Sequence, residues 1–149
     1  RRSLYSEFGS KLHFFYHVID TYIEKKLQPI AQNLKDNVGI TSVDLFFSQY
    51  IQYLEIKGCL LTNAITELGR SDPQIKDKAR HFFDQLEIGF IGCLEKAQQH
   101  QQLRDEVDIE SASVQLCALV QGLAVMARIS NDSSELLVAV NAVIKPLKV

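Results

Sequence analysis

Apolar side chains recur along this chain of 149 residues at intervals of three and four, the spacing of one face of an α-helix. The pattern predicts six helices joined by short connections. Only three prolines and seven glycines are present, and no stretch alternates between apolar and polar residues as a strand does. We therefore expect an all-α domain. The predicted helices span about 11–34, 41–57, 59–68, 73–101, 109–129 and 134–147.

Polar caps and helix breakers mark the predicted boundaries. Ser10 and Thr41 stand just before apolar runs, where a side-chain oxygen can cap the first free N–H groups of a helix. At 71–73, a polar Ser-Asp pair precedes a proline in the first turn of the longest helix. Gly69 closes the helix before it. Pro29 lies inside the first run, and we expect it to bend or end that helix.

The last two predicted helices are apolar on more than one side. Between 112 and 127, only Gln115 and Gln121 carry large polar side chains. A helix of this kind has to be covered on every side. Either a monomer buries it centrally, or it pairs with its copy in a second subunit. We expect the second arrangement, a four-helix bundle made by the last two helices about a two-fold axis.

Composition and charge narrow the classes of function. Hydrophobic residues make up 46% of the chain and charged residues 23%, as in soluble globular proteins. The longest uncharged run, 111–127, is shorter than the roughly 20 residues of a membrane-spanning helix, so no membrane partner is expected. The net charge of −2 disfavours nucleic-acid binding by itself. Residues 1–26 are the basic end, with five Lys or Arg against three Asp or Glu.

Residues that could carry chemistry are few. Cys59, Cys93 and Cys117 form an odd set without C-x-x-C spacing, which argues against a disulfide framework or a zinc site and fits a reducing cytosol. A redox-sensing cysteine would be exposed in an electropositive setting, and only Cys59, beside Lys57 at a helix start, comes near that description. His13 and His17 could share a metal, but no third ligand is evident, so we expect no metal and no cofactor. No nucleophile–base pair is recognisable, and we do not expect an enzyme.

Two stretches resemble the TetR family of transcriptional regulators. The first, S-L-Y-S-E-F-G-S-K at 3–11, is similar to the end of the family's DNA-recognition helix and the start of the next helix. Where the family has Glu after the Ser-Lys pair, this chain has Leu12. The second, K-G-C-L-L-T-N-A-I-T-E-L-G at 57–69 with Asp-Pro at 72–73, is similar to a segment of the family's C-terminal domain. The Q-G-L of 121–123 matches the family's dimer-forming helix.

The resemblance implies a division into two domains. Residues 1–10 would be the end of a helix-turn-helix DNA-binding domain, whose first two helices would lie upstream, and residues 11–149 a ligand-binding and dimerisation domain. Tyr5 and Lys11, with Ser3 as a neighbour, would contact DNA phosphates. The side chains expected at the dimer interface are Leu116, Val120, Leu123, Leu136, Val140, Val143 and Ile144.

The function that the resemblance implies is that of a cytoplasmic, homodimeric repressor, released from operator DNA when a small-molecule effector binds. The long first helix would couple the two events, because a small pivot of it changes the spacing of the two recognition helices. The alternative is a helical module that binds a small molecule or lipid, or serves as an adaptor, without any DNA function.

Aromatic side chains are dense on three predicted helices and could line a cavity for an apolar or aromatic effector, with amides as polar anchors. Glu87 lies along the apolar stripe of the longest helix, where an ionised carboxylate needs a partner. That partner is either an effector or a basic side chain of the protein. The residues predicted to bind the effector are Phe15, Tyr50, Tyr53, Asn63, Phe83, Glu87, Phe90 and Gln121.

Overall fold

The computed structural model describes residues 9–149, and these are helical almost throughout. No strand is assigned among them, apart from an isolated antiparallel bridge between Leu103 and Lys148. The all-α prediction is confirmed. In chain order the elements are α1 (Lys11–Tyr22), a π-helical turn (Ile23–Leu27), α2 (Gln28–Asp36), α3 (Ile40–Lys57), α4 (Leu60–Leu68), α5 (Pro73–Gln99), α6 (Ile109–Met126), α7 (Ser134–Ile144) and a 3₁₀ turn (Lys145–Leu147).

The first predicted helix is helical for its whole length but changes its hydrogen-bond register midway. Its predicted cap is confirmed, since the Ser10 side chain accepts from the His13 N–H at 3.1 Å. In the π turn the Gln28 N–H donates to the Ile23 carbonyl, five residues back. Pro29 follows directly and has no N–H of its own to donate, so the register changes where the ladder would lose a bond. The helical run then continues to Asp36.

Of the two other predicted caps, the one before α5 is confirmed and the one before α3 is wrong. Asp72 caps α5, accepting from the N–H groups of Gln74 at 2.9 Å and Ile75 at 3.2 Å. Thr41, predicted as the cap of α3, lies inside the helix. The cap position belongs to Gly39, whose φ of 71° is a left-handed conformation that favours glycine.

Helix α5 lies at the centre of the domain and contacts α1, α2, α3, α4 and α6. At its middle, Phe90 is fully buried and stacks on Phe47 of α3, with ring centroids 5.7 Å apart. Phe46 meets the same ring edge-on at 5.3 Å. This aromatic cluster fixes α3 against α5, and both helices contribute to the wall of the internal cavity described below.

Helix α6 is the one described helix long and apolar enough to cross a membrane by length and composition. In the fold, it packs against α5 and α7. Leu116 and Leu123 on its inner face are fully buried. The inner apolar face of α6 therefore belongs to the core of the domain.

Candidate functional site

A small internal cavity lies where α2, α3, α5 and α6 meet the start of α4. Its free volume is about 10 Å³, at the lower limit for holding a single water molecule. The walls are apolar except for the Tyr50 hydroxyl and the Cys59 thiol. A larger molecule could enter only if the surrounding side chains moved apart. The lining residues that matter below are Phe46, Tyr50, Cys59, Phe82, Phe83 and Val120.

The corner of this cavity formed by Tyr50 adjoins a buried hydroxyl that makes no well-formed hydrogen bond. The Tyr50 side chain lies beside Cys59 and Thr62, and burial raises the pKa of Tyr50 well above its ordinary value. Thr62 is only 6% exposed. Its Oγ1 has no hydrogen-bond partner among residues 9–149. Because an unpaired buried hydroxyl is costly, this corner is the place where a bound molecule could supply the missing hydrogen bond.

A second, open pocket of about 470 Å³ lies between α4, α5 and α6. Arg70, Lys76 and Arg80 contribute three cationic side chains to its wall, and among residues 9–149 no carboxylate lines it. Gln121 of α6 lies at its far side. Phe83 lines both this pocket and the internal cavity, so its ring is part of the wall that the two share.

A third depression, between α1 and α5 on another side of the domain, has the opposite character. It measures about 460 Å³ and carries the carboxylates of Asp20, Glu24 and Asp77. The one basic side chain that the described residues contribute to it, apart from a histidine, is Lys78, which is paired with Asp20 at 2.8 Å. These two pockets, both lined by α5, thus differ sharply in charge.

Polar contacts tie α1 to the first turns of α5. The Tyr16 hydroxyl donates to Asp72 Oδ2 at 2.6 Å. The Lys78 ammonium donates to both carboxylate oxygens of Asp20, at 2.8 and 2.9 Å, and lies 5.9 Å from the centre of the Tyr16 ring. We call Tyr16, Asp20, Asp72 and Lys78 the α1–α5 junction.

The junction holds Asp72 in its ionised form. The hydrogen bond from Tyr16 lowers the pKa of this carboxyl below its ordinary 3.8, and the capped backbone N–H groups of α5 act in the same direction. The same hydrogen bond raises the pKa of Tyr16 to about 12, with burial as a smaller cause. At neutral pH the pair is therefore a charge-assisted hydrogen bond, the stronger kind.

Three of the predicted effector residues line the cavities. Tyr50 and Phe83 lie on the internal cavity, and Phe83 and Gln121 on the open basic pocket. The side chains of two others form hydrogen bonds to other residues of the domain. The Tyr53 hydroxyl donates to the Tyr22 hydroxyl at 3.0 Å, and Asn63 accepts from Arg128 at 3.1 Å.

The remaining three predicted effector residues lie outside the walls of these cavities. Phe90 belongs to the aromatic cluster of the core, and Phe15 packs half-buried at the edge of the core. Glu87 is half-buried near Cys117. Burial raises the pKa of that thiol to about 12, with the charge of Glu87 as the next cause. Cys59 is buried as well, so it lacks the exposure that a redox sensor needs.

Neither Thr62 nor the three cations of the open pocket were among the site residues predicted from the sequence. A signal for two of the cations was present, because Lys76 and Arg80 are four residues apart and Phe83 is three further on, which places all three on one helix face. Arg70 precedes α5 in the chain, and only the fold brings it to the same pocket. Thr62 has no sequence signal, because its unpaired state depends on its neighbours in space.

The structure places the residues predicted for the dimer interface largely inside the single chain. Six of the seven are buried in its own core and Val143 is half-buried; the six are Leu116, Val120, Leu123, Leu136, Val140 and Ile144. The opposite faces of the same helices carry exposed apolar side chains. These are Val114 and Val125 of α6, and Leu137 and Val138 of α7. Gly122 lies on the outer side of α6, where an added Cβ would meet no other atom.

Of the residues predicted to contact DNA, only one falls within the described part of the chain. Lys11 is the first residue of α1 and is exposed. Ser3 and Tyr5 lie outside the described residues. No group of three or more His, Cys, Asp or Glu side chains within residues 9–149 is placed to hold a metal ion.

Known proteins of the same kind share this arrangement of helices. A crystal structure of a TetR transcriptional regulator from Chloroflexus aurantiacus J-10-FL superimposes with a TM-score of 0.80 over 93% of this chain and 73% of that one, at 21% sequence identity. The chain thus has the fold of a TetR-type regulator. The HTH-type transcriptional repressor BdcR of Escherichia coli (strain K12) is 30% identical over 87 residues.

The family assignment follows from a longer match. Residues 39–143 match the family model described as the tetracyclin repressor-like C-terminal domain. The chain belongs to the TetR family of transcriptional regulators. The alignment with the Escherichia coli repressor covers 57% of this chain but 44% of that protein, so less than half of that relative's length is represented.

Proposed function

We propose that this chain is the effector-binding and dimerisation part of a cytoplasmic transcriptional repressor, which leaves its operator when a small molecule binds between the helices. In this proposal residues 1–10 end a helix-turn-helix domain and residues 11–149 form the regulatory domain. The observation that carries it is the internal cavity, whose lining residue Tyr50 lies beside the poorly satisfied hydroxyl of Thr62, in a domain of TetR type.

The cavity supports a site for a small effector. Binding sites of this class are mostly apolar and carry a few well-placed polar groups. Here the apolar walls come from Phe46, Phe82 and Val120, and the polar corner from Tyr50 and Thr62. An effector that separates these walls would move α3 and α5 relative to each other, because each helix supplies one wall.

The α1–α5 junction supports a route from the cavity to DNA. Helix α5 carries Phe82 and Phe83 in the cavity wall, and about three turns earlier it is tied to α1 through Asp72 and Tyr16. Helix α1 begins at Lys11, the proposed phosphate contact. A shift of α5 would therefore be passed to the end of α1 that faces DNA.

The exposed faces of α6 and α7 support a dimer, with a corrected set of interface residues. Val125 is 54% exposed and Val138 69% exposed in the single chain, and Val114 and Leu137 extend the apolar surface. Gly122 would let a second copy of α6 approach closely. A two-fold pairing of these faces gives the four-helix bundle and fixes the distance between two DNA-binding heads.

The test uses the full-length gene product. DNA that it binds is first selected from a random pool, and small molecules are screened for those that raise the melting temperature of the protein. A ligand at a hundredfold excess over its Kd stabilises the folded state by about 2.7 kcal/mol. We expect stabilising compounds to release the selected DNA.

A matched pair of variants places the ligand in the cavity. Tyr50→Phe removes the hydroxyl beside Thr62 and should weaken ligands that make a hydrogen bond there. Tyr53→Phe removes a hydroxyl that bonds to Tyr22 instead, and it should not. The alternative function, a binding or adaptor module without DNA activity, would be favoured if no DNA were selected while compounds still bound.

A further inference from the structure

The open pocket between α4, α5 and α6 concentrates positive charge in an otherwise acidic chain. Arg70, Lys76 and Arg80 line it, whereas the chain as a whole has a net charge of −2. Within residues 9–149, the two ion pairs use Lys78 and Lys148. The three pocket cations therefore have no carboxylate partner in the described structure.

The three cations are arranged so that they could bind one anion together. Lys76 and Arg80 are one turn apart on α5, and Arg70 approaches from the turn that precedes the helix. Guanidinium groups bind carboxylates through two parallel hydrogen bonds. The half-buried amide of Gln121 is available on α6 to donate to the same group. In the described part of the chain, no acidic side chain in the wall opposes a bound anion.

A single aromatic ring separates the basic pocket from the internal cavity. Phe83 lines both the basic pocket and the internal cavity. Its ring is half-buried and meets Phe82 edge-on, with centroids 5.4 Å apart. If the Phe83 side chain rotates, the basic pocket opens directly onto the walls of Phe46, Phe82 and Val120. Charge at the entrance and apolar surface within define an amphipathic site.

We propose that the effector is an organic carboxylate with an apolar body, held with its carboxylate at Arg70 and Arg80 and its body directed past Phe83 into the internal cavity. This inference rests on the proposed effector-binding function and assigns the chemical class of the effector. Binding at this entrance also adjoins the turn that leads to Asp72, so the anion lies next to the junction with α1.

The test compares acids with the matching neutral alcohols. Benzoate, 4-phenylbutyrate and decanoate are titrated into the full-length protein by calorimetry. The matching alcohols, benzyl alcohol, 4-phenylbutanol and decanol, are titrated alongside them. Acetate serves as a carboxylate that lacks an apolar body. We expect at least one of the acids to bind at least about tenfold more tightly than its alcohol, a difference of about 1.4 kcal/mol. Acetate should bind far more weakly than that acid, because it has no apolar body.

Variants separate the charge from the rest of the site. The double variant R70Q/R80Q should lower the affinity for that acid by about tenfold or more and leave the alcohol unchanged. Both arginines are exposed, so the substitutions do not disturb the core. The control K25Q/K26Q removes the same charge from an exposed part of the π turn and should leave the acid's affinity unchanged.

Several outcomes would overturn the inference. They are equal affinity of the acids and alcohols, no binding of any acid, or an acid affinity that R70Q/R80Q does not change. If neutral compounds bound and released DNA while the acids did not, the regulator proposal would stand and only the assignment of an anionic effector would fall. If acids bound through the arginines without any effect on DNA, the site would be correct and the regulatory proposal would fail.

Discussion

Replacing Thr62 by valine should stabilise the protein, although most substitutions of buried residues destabilise. Valine has nearly the same shape as threonine but lacks the hydroxyl. In the folded chain, the Thr62 hydroxyl is removed from water, with the residue only 6% exposed, and its Oγ1 makes no well-formed hydrogen bond in the described structure, although it lies beside the Tyr50 side chain. In the unfolded chain, the same hydroxyl bonds to water. Folding therefore costs this group its hydrogen bonds.

The size of the gain follows from the cost of an unpaired buried polar group, about 1–3 kcal/mol in protein mutational data. We expect the lower end, about 1 kcal/mol, because the polar side chains of Tyr50 and Cys59 are close by. For a domain of about this size, such a gain raises the melting temperature by about 3 °C.

The assay is thermal and urea unfolding of Thr62→Val beside Thr66→Val, one turn later on α4. Thr66 is exposed and its hydroxyl already donates to the Thr62 carbonyl at 2.9 Å, so its replacement should bring no gain. A loss of stability in Thr62→Val would refute the reasoning, since it would mean that the hydroxyl is hydrogen-bonded, with Tyr50 as the nearest candidate. Where the effector bonds to this corner, the variant should also bind it more weakly.

Three further predictions concern the junction and the dimer. Tyr16→Phe should leave effector affinity nearly unchanged but reduce the effect of the effector on DNA binding, measured by DNA titration with and without ligand. Since the pKa of Asp72 is lowered in the folded state, its contribution to stability should be present above the ordinary pKa of 3.8 and lost as pH falls through the folded-state value. Urea unfolding at several acidic pH values should show this loss in wild type and not in Asp72→Asn. Val125→Glu combined with Val138→Glu should give monomers by light scattering, whereas Ile56→Glu, at an even more exposed apolar site on α3, should not.

The sequence was sufficient for the helices because their signals are local. The apolar period and the caps at Ser10 and Asp72 depend on residues within one or two turns. The π turn was not predicted, since Pro29 reveals that a hydrogen bond is missing but not how the chain compensates for it. The sequence favours Thr41 over Gly39 as the cap of α3, because threonine is the more usual capping residue. The left-handed φ that this position requires is a property of the turn, which the residue preferences do not show.

The sites were harder to predict because they depend on which face of each helix turns inward. Helix α6 is apolar nearly all round, so periodicity could not tell the core face of Leu116 from the outer face of Val125. The basic pocket likewise needs Arg70 and Gln121 to be brought together from separate elements. Aromatic density identified the helices around the cavity, but Phe90 and Tyr53 show that it could not separate lining residues from core.

The measurement that tests the account most directly is the affinity of the full-length protein for its selected DNA, with and without a saturating amount of the compound that stabilises the protein most. We expect this compound to weaken DNA binding by about tenfold or more, within the usual range of allosteric coupling. We expect a smaller loss in Tyr16→Phe, whose bond to Asp72 is absent. An unchanged DNA affinity in the wild-type protein at saturation would contradict the account.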